Sequence, residues 1–298
     1  MKLFCHIVCC SLFLFLTACG GGGSSTPTYT VGGTVSGLTS GSLVLKNNAG
    51  DDLTISANST SFTFDTGLAS GAAYAVTAGT QPNRLACEVT NNTGTVASAN
   101  VTGVTITCIA PVYVANGSSN TVSMYEMDAT TGILTPLATP TVATGTSPAS
   151  ITVNPAGTFA YVINYQSNTV SMYAINASTG ILTALSTPTV ATGTSPRSII
   201  INPAGTFAYV ANLRNAPVSM YAINATTGEL TPLATPTVAT QLMPFSIAVN
   251  PAGTFAYVAN NKSDTVSMYA INATTGVLTA LSTPTVATGG SPWSITFK

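Results

Sequence analysis

From residue 28 onward, apolar and polar residues alternate in short runs that break at Gly, Asn, Ser and Pro. Between residues 28 and 110 the runs YTVGGTVSG, GSLVLKN, DDLTISA, SFTFDT, AAYAVTAG, LACEVTNN and NVTGVTITC predict seven strands with one face inward. That count and spacing predict an antiparallel β-sandwich of immunoglobulin-like type over 28–110.

Beyond residue 110 the pattern becomes periodic. Tyr113, Tyr161, Tyr209 and Tyr257 stand 48 residues apart, as do Met124, Met172, Met220 and Met268. Four copies of one unit therefore fill 111–298. Within a copy, SITVN and TFAYVIN flank a Pro-Ala-Gly turn, while TVSMYAIN and GILTALS flank an Asn-Ala-Ser-Thr-Gly turn. Four antiparallel strands per period predict a β-propeller blade, so the chain is all-β. A helical solenoid is excluded by the β-branched alternation and the Gly/Pro punctuation. The array starts at Pro111-Val112-Tyr113, a second strand, and reaches Ser294-Ile295-Thr296-Phe297, a first strand. Pairing the two would close a four-bladed ring and remove both edges. An incomplete array, finished by a second copy in a homo-oligomer or cut short by a lost 3' end, is the alternative.

Charge and cysteine content narrow the setting. Only 5% of the 298 residues are charged and the net charge is −1, so no basic stripe exists for nucleic acid. Lys2, the apolar run from Leu3 to Leu16 and the sequence Leu16-Thr17-Ala18-Cys19 resemble a bacterial lipoprotein lipobox. The resemblance implies a signal peptide over 1–18, a lipid on Cys19 and a Gly/Ser tether over 19–27. Gly20 is not the aspartate associated with inner-membrane retention, so an outer-membrane, cell-envelope location is expected. Cys87 and Cys108 then remain, and in an oxidising compartment they are expected to form a disulfide. YTVGGTVSGL with that pair resembles a small domain found behind the lipobox of surface lipoproteins, with a spacer or docking role.

The copies differ in two places. NPAGTF and NATTG barely change, whereas GTSPA, GTSPR, QLMPF and GGSPW precede the first strand, and NGSSNT, NYQSNT, NLRNAP and NNKSDT join the second to the third. Antiparallel connectivity puts both variable segments on one face and both invariant turns on the other. The variable face gathers Tyr165, Arg197, Leu213, Arg214, Phe245, Lys262 and Trp293, the residue types that recognition sites concentrate. Arg197 and Arg214, in one copy, are placed to clamp a carboxylate or phosphate together. Drift among duplicated loops is the competing explanation.

The units typified by SPRSIIINPAGTFAYVANLRNAPVSMYAINATTGEL resemble the YVTN-type repeat of lactonase-like β-propellers, known for seven-bladed 6-phosphogluconolactonases and carboxymuconate cyclases. The resemblance implies the propeller fold over 111–298. Its enzymes are understood to use histidine, arginine and acidic residues converging on one face; here the one histidine is His6, within the expected signal peptide. The array's acids, Glu126, Asp128, Glu229 and Asp264, do not recur as a pair. No catalytic set, metal site or cofactor is assigned. The leading expectation is a lipoprotein that presents a non-catalytic propeller to a protein, glycan or small anionic ligand. A lactonase-like hydrolase of sugar-acid lactones and a purely structural repeat module are the alternatives.

Overall fold

The computed structural model describes residues 26–128, 131–214 and 217–297; the predicted signal peptide, Cys19 and most of the tether lie outside the described residues. The first unit contains β1 (Thr28–Tyr29), β2 (Val31–Ser36), β3 (Ser42–Asn47), β4 (Asp51–Ser56), β5 (Ser61–Thr63), β6 (Leu68–Ala69), β7 (Ala73–Thr80), β8 (Ala86–Thr90), β9 (Thr93–Thr95) and the start of β10 (Val101–Asn116). β5, β2, β10 and β8 form one sheet and β4, β3, β7 and β9 another. Val31, Phe62, Val104 and Ile106 from the first bury themselves with Leu43, Leu45, Ile55 and Val76 from the second in one shared core. β2 and β10 run parallel, which departs from the all-antiparallel expectation. Gly33 is what lets them meet: a Cβ there would run into the Val104 carbonyl. Cys87 and Cys108 face each other in β8 and β10 and are joined by a disulfide.

β10 does not stop at residue 110. Its first part pairs with β2 and β8, and residues 110–116 pair with β11 (Thr121–Met127), which pairs with β12 (Leu134–Ala143). One continuous strand therefore joins the N-terminal sheets to the repeats, where composition alone suggests a boundary.

Three four-stranded antiparallel sheets follow. They are β13 (Pro148–Val153) to β16 (Leu182–Ala191) through β14 (Phe159–Asn164) and β15 (Thr169–Ile175); β17 (Pro196–Ile201) to β20 (Leu230–Ala239) through β18 (Phe207–Asn212) and β19 (Pro217–Ile223); and β21 (Pro244–Val249) to β24 (Leu278–Ala287) through β22 (Phe255–Asn260) and β23 (Thr265–Ile271). With β10–β12 as the first, four sheets stand face to face, and β10, β13, β17 and β21 neighbour one another from sheet to sheet. Each seam has its own apolar core. Tyr161, Ile163 and Met172 pack against Ile199, Ala208 and Tyr221, and Tyr209 and Met220 repeat the arrangement against Ile247, Val258 and Tyr269.

Identical bonds stitch each seam, which explains why certain residues never vary. The Tyr113, Tyr161 and Tyr209 hydroxyls donate to the carbonyls of Gly180, Gly228 and Gly276 in the next sheet, at 2.6–2.8 Å. Tyr173, Tyr221 and Tyr269 donate back to the Ala143, Ala191 and Ala239 carbonyls of the sheet before. Burial pushes the hydroxyls of Tyr113, Tyr161 and Tyr209 well above the ordinary tyrosine pKa of 10.0.

The invariant turns are held by their asparagines. Asn154 Oδ1 accepts from the Thr158 and Phe159 amides at 2.8 and 2.9 Å, and Asn202 and Asn250 do the same. Gly157 takes a left-handed φ of 72°, which a side chain would strain. In NAST, Asn176 Oδ1 accepts from the Ser178 and Thr179 amides. The Asn-Ala-Ser-Thr-Gly turn thus opens on an Asx turn.

The expected ring closure is corrected. Residues 292–297 form no strand with β10; the segment instead lies against the fourth sheet, at the opposite end of the array. There the Ile295 amide donates to Ser246 Oγ at 3.3 Å, and the Phe297 ring lies 5.4 Å from that of Tyr257.

Candidate functional site

The residue after the leading proline in each copy is Ala149, Arg197, Phe245 or Trp293. The structure explains how it escapes the sheet. Pro148 faces Asn164 but Ser150 faces Ile163, so Ala149 is an extra residue; Arg197 and Phe245 are extra in the same way, between Pro196 and Ser198 and between Pro244 and Ser246. Each first strand thus opens with a β-bulge, which turns one side chain out of the alternation.

The bulged side chains of successive sheets meet. The Arg197 guanidinium carbon lies 5.1 Å from the centroid of the Phe245 ring. Phe245 in turn stands 4.4 Å from Trp293, the rings inclined at 59°. A cation, a half-buried ring and an indole that is 63% exposed form one row across two seams. A cation against an aromatic face in this geometry is attractive by about 0.5–1 kcal/mol at an exposed site. It leaves the remaining guanidinium N–H groups available to a ligand, in keeping with the five donors arginine carries.

Tyr165, Arg214 and Lys262 belong to the same end of the sheets, held there through their backbones. The Tyr165 amide donates to Ser147 O, Leu213 to Ser195 O, Arg214 to Thr194 O and Lys262 to Leu242 O, all in the segments that lead into first strands. Asn120, Asn168 and Asp264 bind the two variable segments together by accepting from the Ser147, Ser195 and Ser291 amides. Of the six candidates, the structure brings Arg197, Phe245 and Trp293 into contact and sets the other three in flanking loops. Arg197 lies over the Phe245 ring of the next sheet.

The acids of the repeats have local partners. Glu126 accepts from Thr135 Oγ1, Asp128 from the Thr131 amide, Asp264 from the Ser291 amide and Glu229 from Ser186 Oγ. The serine and threonine hydroxyls around Glu229, Thr187 first, hold its carboxyl below the usual range. Among the described residues, no group of three His, Cys, Asp or Glu could hold a metal ion.

On the opposite face lies a cavity of about 560 Å³ that sequence reasoning missed. Arg84, Leu85 and Ala86 of the N-terminal unit roof it over Asn154, Pro155 and Pro203 of the invariant turns. It exists because β10 runs unbroken between the two units, which no local pattern announces.

Four antiparallel sheets stitched face to face, with loops gathered at one end, define an all-β protein of propeller type. The lactonase family of 7-bladed β-propellers matches residues 109–243 and 235–297, and the chain belongs to that family. No curated protein matches the sequence. Among solved structures, a candidate 6-phosphogluconolactonase from Bacteroides fragilis NCTC 9343 is similar at 20% identity and a TM-score of 0.54, over 63% of this chain and 57% of that one. The periplasmic gluconolactonase of Pseudomonas aeruginosa is similar at 20% identity and a TM-score of 0.55, over 61% and 52%. A candidate 6-phosphogluconolactonase from Bacteroides uniformis ATCC 8492 is similar at 17% and 0.56, over 84% and 68%. The chain thus spans little more than half the length of the first two.

Proposed function

We propose that the protein is a lactonase-type propeller that takes a sugar acid lactone on its variable face and hydrolyses it. The row Arg197–Phe245–Trp293 carries this reading. Aromatic faces pack against the C–H face of a sugar ring, and an arginine beside them binds a carboxylate or phosphate, or the oxygen on which charge develops as water attacks the lactone carbonyl. Family membership and the names of the B. fragilis, B. uniformis and P. aeruginosa proteins support this substrate class. Within the proposal, residues 111–298 are four propeller blades, 28–110 an immunoglobulin-like sandwich acting as a spacer, and Cys19 a lipid anchor in the outer membrane, with no nucleic-acid partner.

The test is turnover of 6-phosphogluconolactone and gluconolactone, measured as acid release above the spontaneous rate. Arg197→Ala is expected to lower kcat/KM by about 10²–10³, the usual loss on removing a group that holds a developing oxyanion. A panel of lactones hydrolysed no faster than in buffer would sink the reading.

A second reading is non-catalytic binding of the same class of anion. The carboxylates of the repeats support it: each already accepts a hydrogen bond from a serine or threonine hydroxyl or a backbone amide. Calorimetry with gluconate and 6-phosphogluconate separates the two, since binding without turnover leaves only the second.

A further inference from the structure

Three cations of the repeats stand on the variable face, two of them in one structural slot. In successive sheets the loop after the second strand is held by the same backbone bond: the Gln166 amide donates to Thr146 O, the Arg214 amide to Thr194 O and the Lys262 amide to Leu242 O, at 3.2–3.3 Å. Gln166, Arg214 and Lys262 are therefore equivalent positions, 48 residues apart, in the second, third and fourth sheets. They make a second row beside Arg197 and Phe245, which share the bulge slot of the third and fourth sheets. Arg214 and Lys262 are exposed, and the one ion pair among the described residues, Lys46–Asp52, lies in the N-terminal unit. Asp264, the acid of the same loops, already accepts from the Ser291 amide. Glu126, Asp128 and Glu229 lie in or beside the turns of the opposite face, where Asp128 N–H bonds Ile133 O and Asn224 N–H bonds Glu229 O. In a chain whose net charge is −1, three cations against one acid leave the variable face positive.

We propose that this face takes an extended acidic oligosaccharide, a chain of uronic-acid-type units laid across the seam between the third and fourth sheets. The inference rests on the sugar-acid reading above and changes the ligand from a single ring to a chain. Sheets packed face to face lie about 10 Å apart, so Arg214 and Lys262 stand roughly two sugar units from each other. One ring does not bridge that separation; a chain does. Each cation meets a carboxylate of the chain, while the Phe245 ring and the Trp293 indole 4.4 Å from it give the sugar an aromatic floor. A neutral glycan would leave the cations unpaired, and an acidic peptide would bring no sugar face to the rings. The excess of positive charge also draws a polyanion to this face before contact.

The probes are galacturonate, tetragalacturonate, neutral galactotetraose and poly-L-glutamate, titrated by calorimetry against the full chain carrying Cys19→Ser, which removes the proposed lipid. Tetragalacturonate is expected to bind about 10²-fold more tightly than galacturonate, the gain from engaging two sites through one chain, and to weaken as salt rises. Arg214→Gln with Lys262→Gln is expected to erase that gain and bring the two ligands within about 3-fold. The fold tolerates glutamine there, since Gln166 holds the same slot in the second sheet. Galacturonate, galactotetraose or poly-L-glutamate bound as tightly as tetragalacturonate would overturn the inference. So would a gain that survives the double variant, or binding confined to phosphatidylglycerol vesicles. Turnover of gluconolactone with no effect of chain length removes this inference and leaves the lactonase reading; an effect of chain length without turnover does the reverse.

Discussion

Arg197 reaches out of its own sheet to lie over the ring of Phe245 in the next, at 5.1 Å from the ring centroid. Both side chains are there for the same reason, a bulge at the start of each first strand, so contact between them is a property of the repeat and not of either residue alone.

That relationship separates ligand recognition from stability. Phe245→Ala is expected to weaken the binding of gluconate or 6-phosphogluconate by about 3- to 10-fold, in line with the ~0.5–1.5 kcal/mol that an aromatic or cation–ring contact contributes. The melting temperature should move by less than about 4 °C, since the ring is half-buried and outside the seam cores. A larger fall in melting temperature would make Phe245 a packing residue.

The tyrosine stitches have the opposite profile. Tyr209→Phe keeps the ring but leaves the Gly276 carbonyl without its donor in a buried seam. A loss of about 1–3 kcal/mol in denaturant unfolding is expected, with ligand binding unchanged.

Alkaline pH should undo the same seams together. Because burial raises the tyrosine pKa in the folded state above the 10.0 of a free side chain, the folded form resists ionisation that the unfolded form accepts. Stability is therefore fully present below pH 10 and is lost progressively as the pH rises above it. A melting temperature still flat to pH 11.5 would contradict this.

Replacing both Cys87 and Cys108 with Ser is expected to cost about 2–4 kcal/mol, as for the loss of a bridge closing a loop of this order. The cost should fall on the N-terminal core that the pair joins. Differential scanning calorimetry of the variant with and without reductant checks it: reductant should shift the parent and leave the variant unmoved.

The repeat units were legible because each blade is a local object. A strand of alternating residues, an Asn that caps its own turn and a Gly at positive φ all act within a few positions, so NPAGTF announces its hairpin wherever it occurs. The grouping of the variable residues at one end was legible too, from antiparallel connectivity. That Tyr161 would reach Gly228 was not, because the 67-residue offset is set by how sheets stack. The bulge that frees Arg197 was also hidden, since it is visible only as a slip in register against the partner strand.

The sequence by itself determined that this is an all-β chain of short hairpins, where its turns fall and which residues its copies leave free to differ, because each depends on chemistry within a few residues. Only the tertiary structure decided which of those residues touch, that β10 joins the N-terminal sheets to the repeats without a break, and that residues 292–297 lie on the fourth sheet and away from the first. Those outcomes depend on the angle between neighbouring sheets, and that angle is set by packing along whole seams, to which no single stretch of sequence holds the key.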